Sequence, residues 1–535
     1  MVEAEASKAI TKDIEGRHPN NNQFVMPQLP AFPQAVHAGT VGGRLSLYLE
    51  NWKMVTQDQW VLSVIEKGYV IDFWSKPPLS SIPIPSPLPA DKVKRQAVRG
   101  QVNILLEKRV IEPVLDPTSP GFYNRLFVVP KPAKNTWRAI LDLSALGRLY
   151  VTREGFKMET ADVVRKMIVQ GEWAASLDFS DAYFHVMMHP SSRKYLRFAL
   201  DGQVFQFRAL PMGLSSSARV FTRIIKVIKA WVQRYGIQLH QYIDDWLIHC
   251  HSRKFTRVYT QHVKMIAERL GFLINEKKSE LTPMQQFNYL GLCFNLVEGK
   301  VSITMERWQK LQEAIKAFQT STWVTARVWQ SLIGRMVSTE RVVHLGMLHI
   351  RPFQVALSRQ WSQRTGSQND KLLVPPELIR LLDWWKNPEH VCQGVSFQLS
   401  PPNIQVFVDA SSSGWGGHVG MMKAQGKWSD KEKGLHINAQ ELLAVQKVLK
   451  SFSVELSGRT VMIASDNVTT VSYIRRQGGT RSFTLLRLTQ ELYRWAEAQG
   501  IRLRCRHIAG KLNVWPILCL GRGRYCPQNG PFISR

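Results

Sequence analysis

Acidic residues are scarce in this chain of 535 residues: 41 Asp and Glu stand against 70 Lys and Arg, a formal net charge of +29. So basic a polypeptide is expected to meet phosphate and to release counterions when it does. An anionic membrane surface would suit the same charge. Long apolar runs are missing as well, however, since none approaches the ~18 residues of a membrane span. The polar opening MVEAEASKAITKDIEGRHPNNN is neither a signal peptide nor an anchor. No membrane partner is expected, and the protein is expected in the cytoplasm, the nucleus or both rather than secreted. Cysteine is sparse: Cys250, Cys293, Cys392, Cys505, Cys519 and Cys526 have neither zinc-ligand spacing nor the density of a disulfide scaffold, so they are read as reduced thiols. No short-period repeat marks a solenoid.

What the chain does have is carboxylate at the ends of apolar strands. Tyr242-Ile243-Asp244-Asp245 lies between Leu239 and Trp246-Leu247-Ile248. Alternation along a strand pair would bury Ile243 and Trp246 and leave the turn carboxylates free to hold divalent metal. An Asp pair alone is more often a solvated turn. A second strand changes the balance, because the apolar run WAASLD of residues 173–178 also ends in a carboxylate, Asp178, before a turn and a helix start. Asp178, Asp244 and Asp245 are therefore candidate catalytic ligands of one metal pair.

With these residues in view, the segment resembles the palm of a reverse transcriptase, and further motifs follow in that family's order. Residues 124–143, NRLFVVPKPAKNTWRAILDL, are similar to the fingers hairpin over the incoming nucleotide, which implies triphosphate contacts for Lys131 and Arg138. Residues 207–214, including Met212 and Gly213, resemble the loop that supports template and nucleotide. Residues 271–278 resemble the next palm segment, with Lys278 a candidate for protonating pyrophosphate, and Tyr289-Leu290-Gly291 resembles the primer grip. Tyr183 stands where the family places a bulky gate against the ribose 2′-hydroxyl. The resemblance implies two Mg2+ ions per active site, with Mn2+ a possible substitute, and as partners an RNA template, a DNA primer, an RNA:DNA hybrid and dNTPs.

A second carboxylate set lies downstream. Asp409 ends the β-rich IQVFVD, and Gly414, Gly416 and Gly417 are expected to form a tight hairpin into the next strand. Asn438 suits a helix N-cap with Glu441 as its capping partner, and the apolar VMIAS precedes Asp466. In strand, helix, strand order, Asp409, Glu441 and Asp466 resemble an RNase H domain, a two-metal nuclease acting on the RNA of a hybrid. That family places a fourth carboxylate where Ile517 stands, and no acidic residue occurs after Glu497. Loss of one nucleotide after the codon for Val514 would turn a coding string for Leu-Ala-Asp-Pro-Leu-Ser-Arg into the observed Trp-Pro-Ile-Leu-Cys-Leu-Gly. A frameshift is therefore expected, with impaired hybrid cleavage.

The motifs GRLSL at 43–47, Asn51-Trp52, FKMET at 156–160, residues 242–246 and HIAGKLN at 507–513 together resemble the DIRS group of retrotransposons, which pair such a polymerase with a tyrosine recombinase. No recombinase is visible in the chain. The expected fold class is α/β (α+β), a right-hand polymerase followed by an RNase H-like domain. Its expected parts are a disordered polar N-terminus at 1–40, a helical extension with a proline-rich strap at 41–89, fingers and palm at 90–294, thumb and connection at 295–400, an RNase H-like domain at 401–513 and an aberrant tail at 514–535. The expected activity is RNA-directed DNA synthesis. The alternative is a decayed or co-opted copy that binds nucleic acid without catalysis.

Overall fold

The computed structural model describes residues 31–34, 39–131, 136–398 and 400–509. Most of the expected disordered N-terminus, the closing segment 510–513 and the expected frameshift tail, Ile517 included, lie outside the described residues. The chain divides into two compact units, one of residues 1–159 with 174–283, the other of residues 160–173 with 284–535.

In the first unit a 3-10 turn, Arg44–Tyr48, leads into helix α1, Leu49–Val55. Trp52, in α1, is fully buried. The proline-rich strap makes isolated bridges, Ser80 with Gly121 and Pro85 with Ala199, with a bend at Ser81 and Ile82 between them, and Ser86 N–H donates to the Ala199 carbonyl at 2.8 Å. Strands β1, Arg125–Lys131, and β2, Thr136–Asp142, pair antiparallel. The palm sheet contains β3, Trp173–Asp178, β4, Gln238–Tyr242, β5, Asp245–Cys250, and β6, Glu280–Met284, in the order β4-β5-β3-β6. Helices α2, Ser217–Gln233, and α3, Arg253–Arg269, complete it. Val220, Ile224 and Ile228 recur every fourth residue along α2, so they share one face. That stripe shares a core with Val263 and Ile266 of α3 and with Leu239, Trp246 and Ile248 of β4 and β5. Ile243 departs from the simple alternation. It is a turn residue, half-buried at φ 54°, because a two-residue hairpin needs a positive φ to match strand twist.

The second unit opens with the hairpin Gln286–Tyr289 and Leu292–Asn295, closed by Leu290 and Gly291, both at positive φ. Residues 295–400 are mainly helical: α4, Met305–Gln319, α5, Ala326–Thr339, α6, Gly346–Gln360, and α7, Pro376–Lys386. Leu311, Ile315 and Phe318 form the buried face of α4, and Trp308 is half-buried at its side. A five-stranded sheet follows, built from β7, Ile404–Ala410, β8, Gly414–Val419, β9, Met422–Lys427, β10, Thr460–Ser465, and β11, Arg502–His507, in the order β9-β8-β7-β10-β11. β7, β8 and β9 are antiparallel neighbours, whereas β10 runs parallel to both β7 and β11. Helices α8, Ile437–Ser451, α9, Val468–Arg475, and α10, Phe483–Ala498, complete this part. Val406, Val408, Val461 and Ile463 share a core with Leu442, Val445 and Val448 of α8.

Two local expectations are corrected here. Gly414 begins β8 and Gly416 and Gly417 lie within it, so none of the three is in a turn. A Cβ on Gly417 would sit 2.4 Å from the Phe407 carbonyl oxygen and 2.7 Å from Val448 Cγ1, so this glycine lets α8 approach the sheet. The N-cap of α8 is His436, whose side chain accepts the Asn438 N–H, and not Asn438. Glu441 is thereby released from a capping role, and its carboxylate is buried.

Candidate catalytic sites

In the first unit, Asp178 ends β3, the neighbour of β5 in the palm sheet. Asp244 lies in the two-residue turn between β4 and β5, and Asp245 begins β5 opposite Tyr242. The Phe179 N–H donates to the Asp244 carbonyl at 3.2 Å, which ties the end of β3 to that turn. The backbone of Asp178 is held twice more, its carbonyl accepting the Asn275 N–H at 2.8 Å and its N–H donating to Ser279 Oγ at 3.0 Å. Burial lifts the Asp178 carboxyl above its ordinary range, the Lys278 ammonium 3.3 Å from its Oδ2 opposes that rise, and Asp244 adds to it. Asp245 is pushed up to about 6 by lost hydration and then by the charges of Asp244 and Asp178. Asp245 itself is exposed at the start of β5.

Tyr183 lies in the 3-10 helix Ala182–His185, half-buried, its ring edge-on to Phe221 at 5.4 Å. Burial, then Asp244 and Tyr242, raise its hydroxyl to about 12, so the phenol stays neutral beside the turn. Met212 is half-buried, and Gly213, at φ 97°, would bring a Cβ within 3.4 Å of the Leu141 carbonyl oxygen at the base of the fingers hairpin. Lys131 and Arg138 are exposed on β1 and β2, in a separate two-stranded sheet from the palm carboxylates.

Glu159, from the FKMET motif, has a role the sequence did not disclose. β4 is the edge of the palm sheet, and its Gln241 N–H donates to Glu159 Oε2 at 2.7 Å. The same carboxylate pairs with Lys229 of α2 and lies 3.5 Å from His240 Nδ1. Burial alone would raise the Glu159 carboxyl, but His240, Lys229 and the Gln241 N–H together hold it at about 2.

In the second unit, Asp409 of β7, Glu441 of α8 and Asp466, just past β10, bring one ligand atom each within 4.8 Å of the others. Among the described residues this is the one cluster so drawn together, whereas the palm carboxylates influence one another's charge without closing to that spacing. Burial first, then the charges of Asp409 and Asp466, push the Glu441 carboxyl up to about 8. Burial and Asp466 also raise Asp409, against the Ala410 N–H. Both sites fit divalent metal. Their donors are hard carboxylate oxygens, and the buried Asp178 Oδ1 and Glu441 Oε2 have no hydrogen-bond partner. His507 Nε2 lies 3.0 Å from the Asp466 carbonyl oxygen.

In chain order, a fingers hairpin, a carboxylate-bearing hairpin beside Asp178 and then a helical segment match a reverse-transcriptase-like fold of fingers, palm and thumb. Beyond it lies a carboxylate cluster of RNase H-like form. Residues 129–294 match the family described as reverse transcriptase (RNA-dependent DNA polymerase). The chain is a distant relative of Protein P of duck hepatitis B virus, 24% identical over 242 residues that cover 44% of this chain and 29% of the relative. Protein P of heron hepatitis B virus is 26% identical over 218 residues, 40% of this chain and 27% of the relative. An enzymatic polyprotein of cassava vein mosaic virus is 20% identical over 67% of this chain and 54% of its own length. The chain thus spans under a third of the hepatitis B virus relatives. Among solved structures, a foamy viral protease-reverse transcriptase in complex with double-stranded DNA has a TM-score of 0.51 at 16% identity, covering 92% of this chain and 85% of that one. The foamy viral protein in complex with an RNA/DNA hybrid has a TM-score of 0.50 at 16% identity, covering 98% and 68%.

Proposed function

We propose that this protein is an RNA-directed DNA polymerase that extends a DNA primer on an RNA template with dNTPs. The observation that carries the reading is Asp178 ending the strand beside the Asp244 and Asp245 hairpin, with Lys278 and Tyr183 at its margin. Asp178, Asp244 and Asp245 would hold two Mg2+ ions, with Mn2+ as a substitute. Bound there, the metal supplies Lewis acidity to the primer hydroxyl and countercharge to the phosphates. Lys131 and Arg138 bind triphosphate, Met212 and Gly213 support the nucleotide, Lys278 delivers a proton toward pyrophosphate, and Tyr183 occupies the space of a 2′-hydroxyl. No helix among the described residues is long and apolar enough to cross a membrane, and we place the protein in the cytoplasm or nucleus.

Asp409, Glu441 and Asp466 support a second, nuclease site for the RNA strand of a hybrid, impaired by Ile517 in place of a fourth carboxylate. The motifs at 43–47, 51–52 and 507–513 favour a DIRS-like retrotransposon as the source, with that element's tyrosine recombinase as a partner. Primer extension on a homopolymer RNA template with Mg2+ tests the polymerase. Asp244→Asn is expected to abolish extension while leaving template binding and its salt dependence nearly unchanged, because shape is kept and metal charge is lost. Extension near the unmutated rate would remove the palm assignment.

A further inference from the structure

Residues 43–52 lie outside the segment matched to the polymerase family, yet they grip its floor. Helix α3 ends at Arg269, where the last carbonyls of a helix have no partner within it. Three consecutive carbonyls at that end are taken by side chains from the extension. Asn51 Nδ2 donates to Arg269 O at 2.5 Å, Trp52 Nε1 to Leu270 O at 2.9 Å and Arg44 Nε to Gly271 O at 3.0 Å. All three side chains are buried, and Arg44 Nη2 also donates to the Tyr48 hydroxyl at 2.9 Å. Gly271, at φ 97°, is required here, since a Cβ would meet the Tyr48 ring at 2.5 Å. The Gly43 N–H reaches the other side of the floor, donating to the Phe184 carbonyl at 2.8 Å.

The gripped segment connects directly to the catalytic residues. The Leu273 carbonyl accepts the Ser180 N–H at 2.9 Å, two residues past Asp178. The Leu273 N–H donates to His185 Nε2 at 2.9 Å, and His185 Nδ1 lies 3.1 Å from the Ala182 carbonyl oxygen. Because Nε2 accepts, the ring proton is on Nδ1 and donates to Ala182, so His185 is neutral. Its complete burial, with the like charge of Arg44 adding, disfavours a second proton. His185 therefore pins both ends of the 3-10 turn that carries Tyr183.

We propose that Arg44 and His185 are positioning residues for nucleotide selection. The extension fixes the segment 269–273, His185 transmits that placement to the Tyr183 helix, and the result is the choice of deoxyribose over ribose. The proposal rests on the polymerase reading, and its test separates the two. In the full chain, His185→Phe retains ring packing but loses the acceptor, Arg44→Met loses the carbonyl grip, and Arg44→Lys restores part of it. Val98→Ala, a buried site on the helix Lys92–Glu107 that makes none of these hydrogen bonds, controls for general destabilisation. Hydrogen exchange on the protein alone should quicken about 10- to 100-fold at the Leu273 and Ser180 amides in His185→Phe and Arg44→Met. The dTTP over UTP ratio of kcat/KM on a poly(rA) template should fall about tenfold in both variants, recover partly in Arg44→Lys and stay put in Val98→Ala. Faster exchange with an unmoved ratio overturns the proposal, as does an equal fall in Val98→Ala or unchanged exchange at both amides. If the unmutated protein extends no primer, the polymerase reading falls and selection by these residues falls with it, whereas unchanged exchange beside normal extension overturns the relay alone.

Discussion

Replacing Glu441 by Gln should stabilise the metal-free protein, and by an amount that depends on pH. The Glu441 carboxyl, ordinarily near 4.5, is raised to about 8 by burial and by Asp409 and Asp466. Between those values the folded chain keeps a proton that the unfolded chain releases. The stability associated with protonated Glu441 is therefore complete below about 4.5 and is lost as pH rises toward about 8. One pKa unit corresponds to ~1.4 kcal/mol, so the full loss is on the order of 3–5 kcal/mol, shared with Asp409, which rises alongside. An amide carries no charge at any pH. The difference between Glu441→Gln and the unmutated chain should be about 1 kcal/mol or less at pH 5 and grow to roughly 3 kcal/mol or more by pH 9. Denaturant melts of both proteins across that range, in chelator, measure it. Mg2+ should then close the gap at high pH by stabilising the carboxylate form, since metal competes with the proton for the same oxygens. A gap that is flat with pH, or that favours the carboxylate as pH rises, would refute the clustering of Asp409, Glu441 and Asp466.

Three other outcomes follow from particular side chains. Tyr183→Ala or Tyr183→Val should admit ribonucleotides by roughly tenfold or more in an rNTP against dNTP competition, and an unchanged preference would make Tyr183 a core residue only. Gly417→Ala should destabilise the second unit by roughly 2–3 kcal/mol, because its Cβ would press on the Phe407 carbonyl and Val448, and a thermal melt within a degree of the unmutated one would contradict that packing. Hybrid cleavage by the chain as it stands should be weak. Restoring the reading frame after the Val514 codon should recover it and Ile517→Asp should do so in part, whereas robust Mg2+-dependent cutting by the unmutated protein would show that three carboxylates suffice.

Asp178 and the pair Asp244 and Asp245 drew notice in the sequence because two separate carboxylates border the apolar runs WAASL and WLI, where one Asp pair alone reads as a solvated turn. The order of the motifs could be read along the chain because each of them is local. Glu441 was harder, because Asn438 three residues earlier offered an equally good local explanation that only the His436 cap removes. Gly416 and Gly417 misled, since glycine marks close packing as readily as a turn. Arg44 and His185 gave no local signal of their partners, which lie 227 and 88 residues further along the chain. A long-range hydrogen bond to a backbone atom leaves no imprint on the partner's residue type, so no spacing rule reaches it.

Glu159 has a consequence for how this protein keeps to itself. A sheet's outer strand offers a row of unpaired amides on which a stray β-segment, from another molecule or a nascent chain, can template. Here the row along β4 is interrupted at Gln241 by a carboxylate that also holds Lys229. At that position an incoming strand would have to displace a charged side chain and leave an ammonium uncompensated, so the side chain that braces this hairpin also covers the sheet's edge.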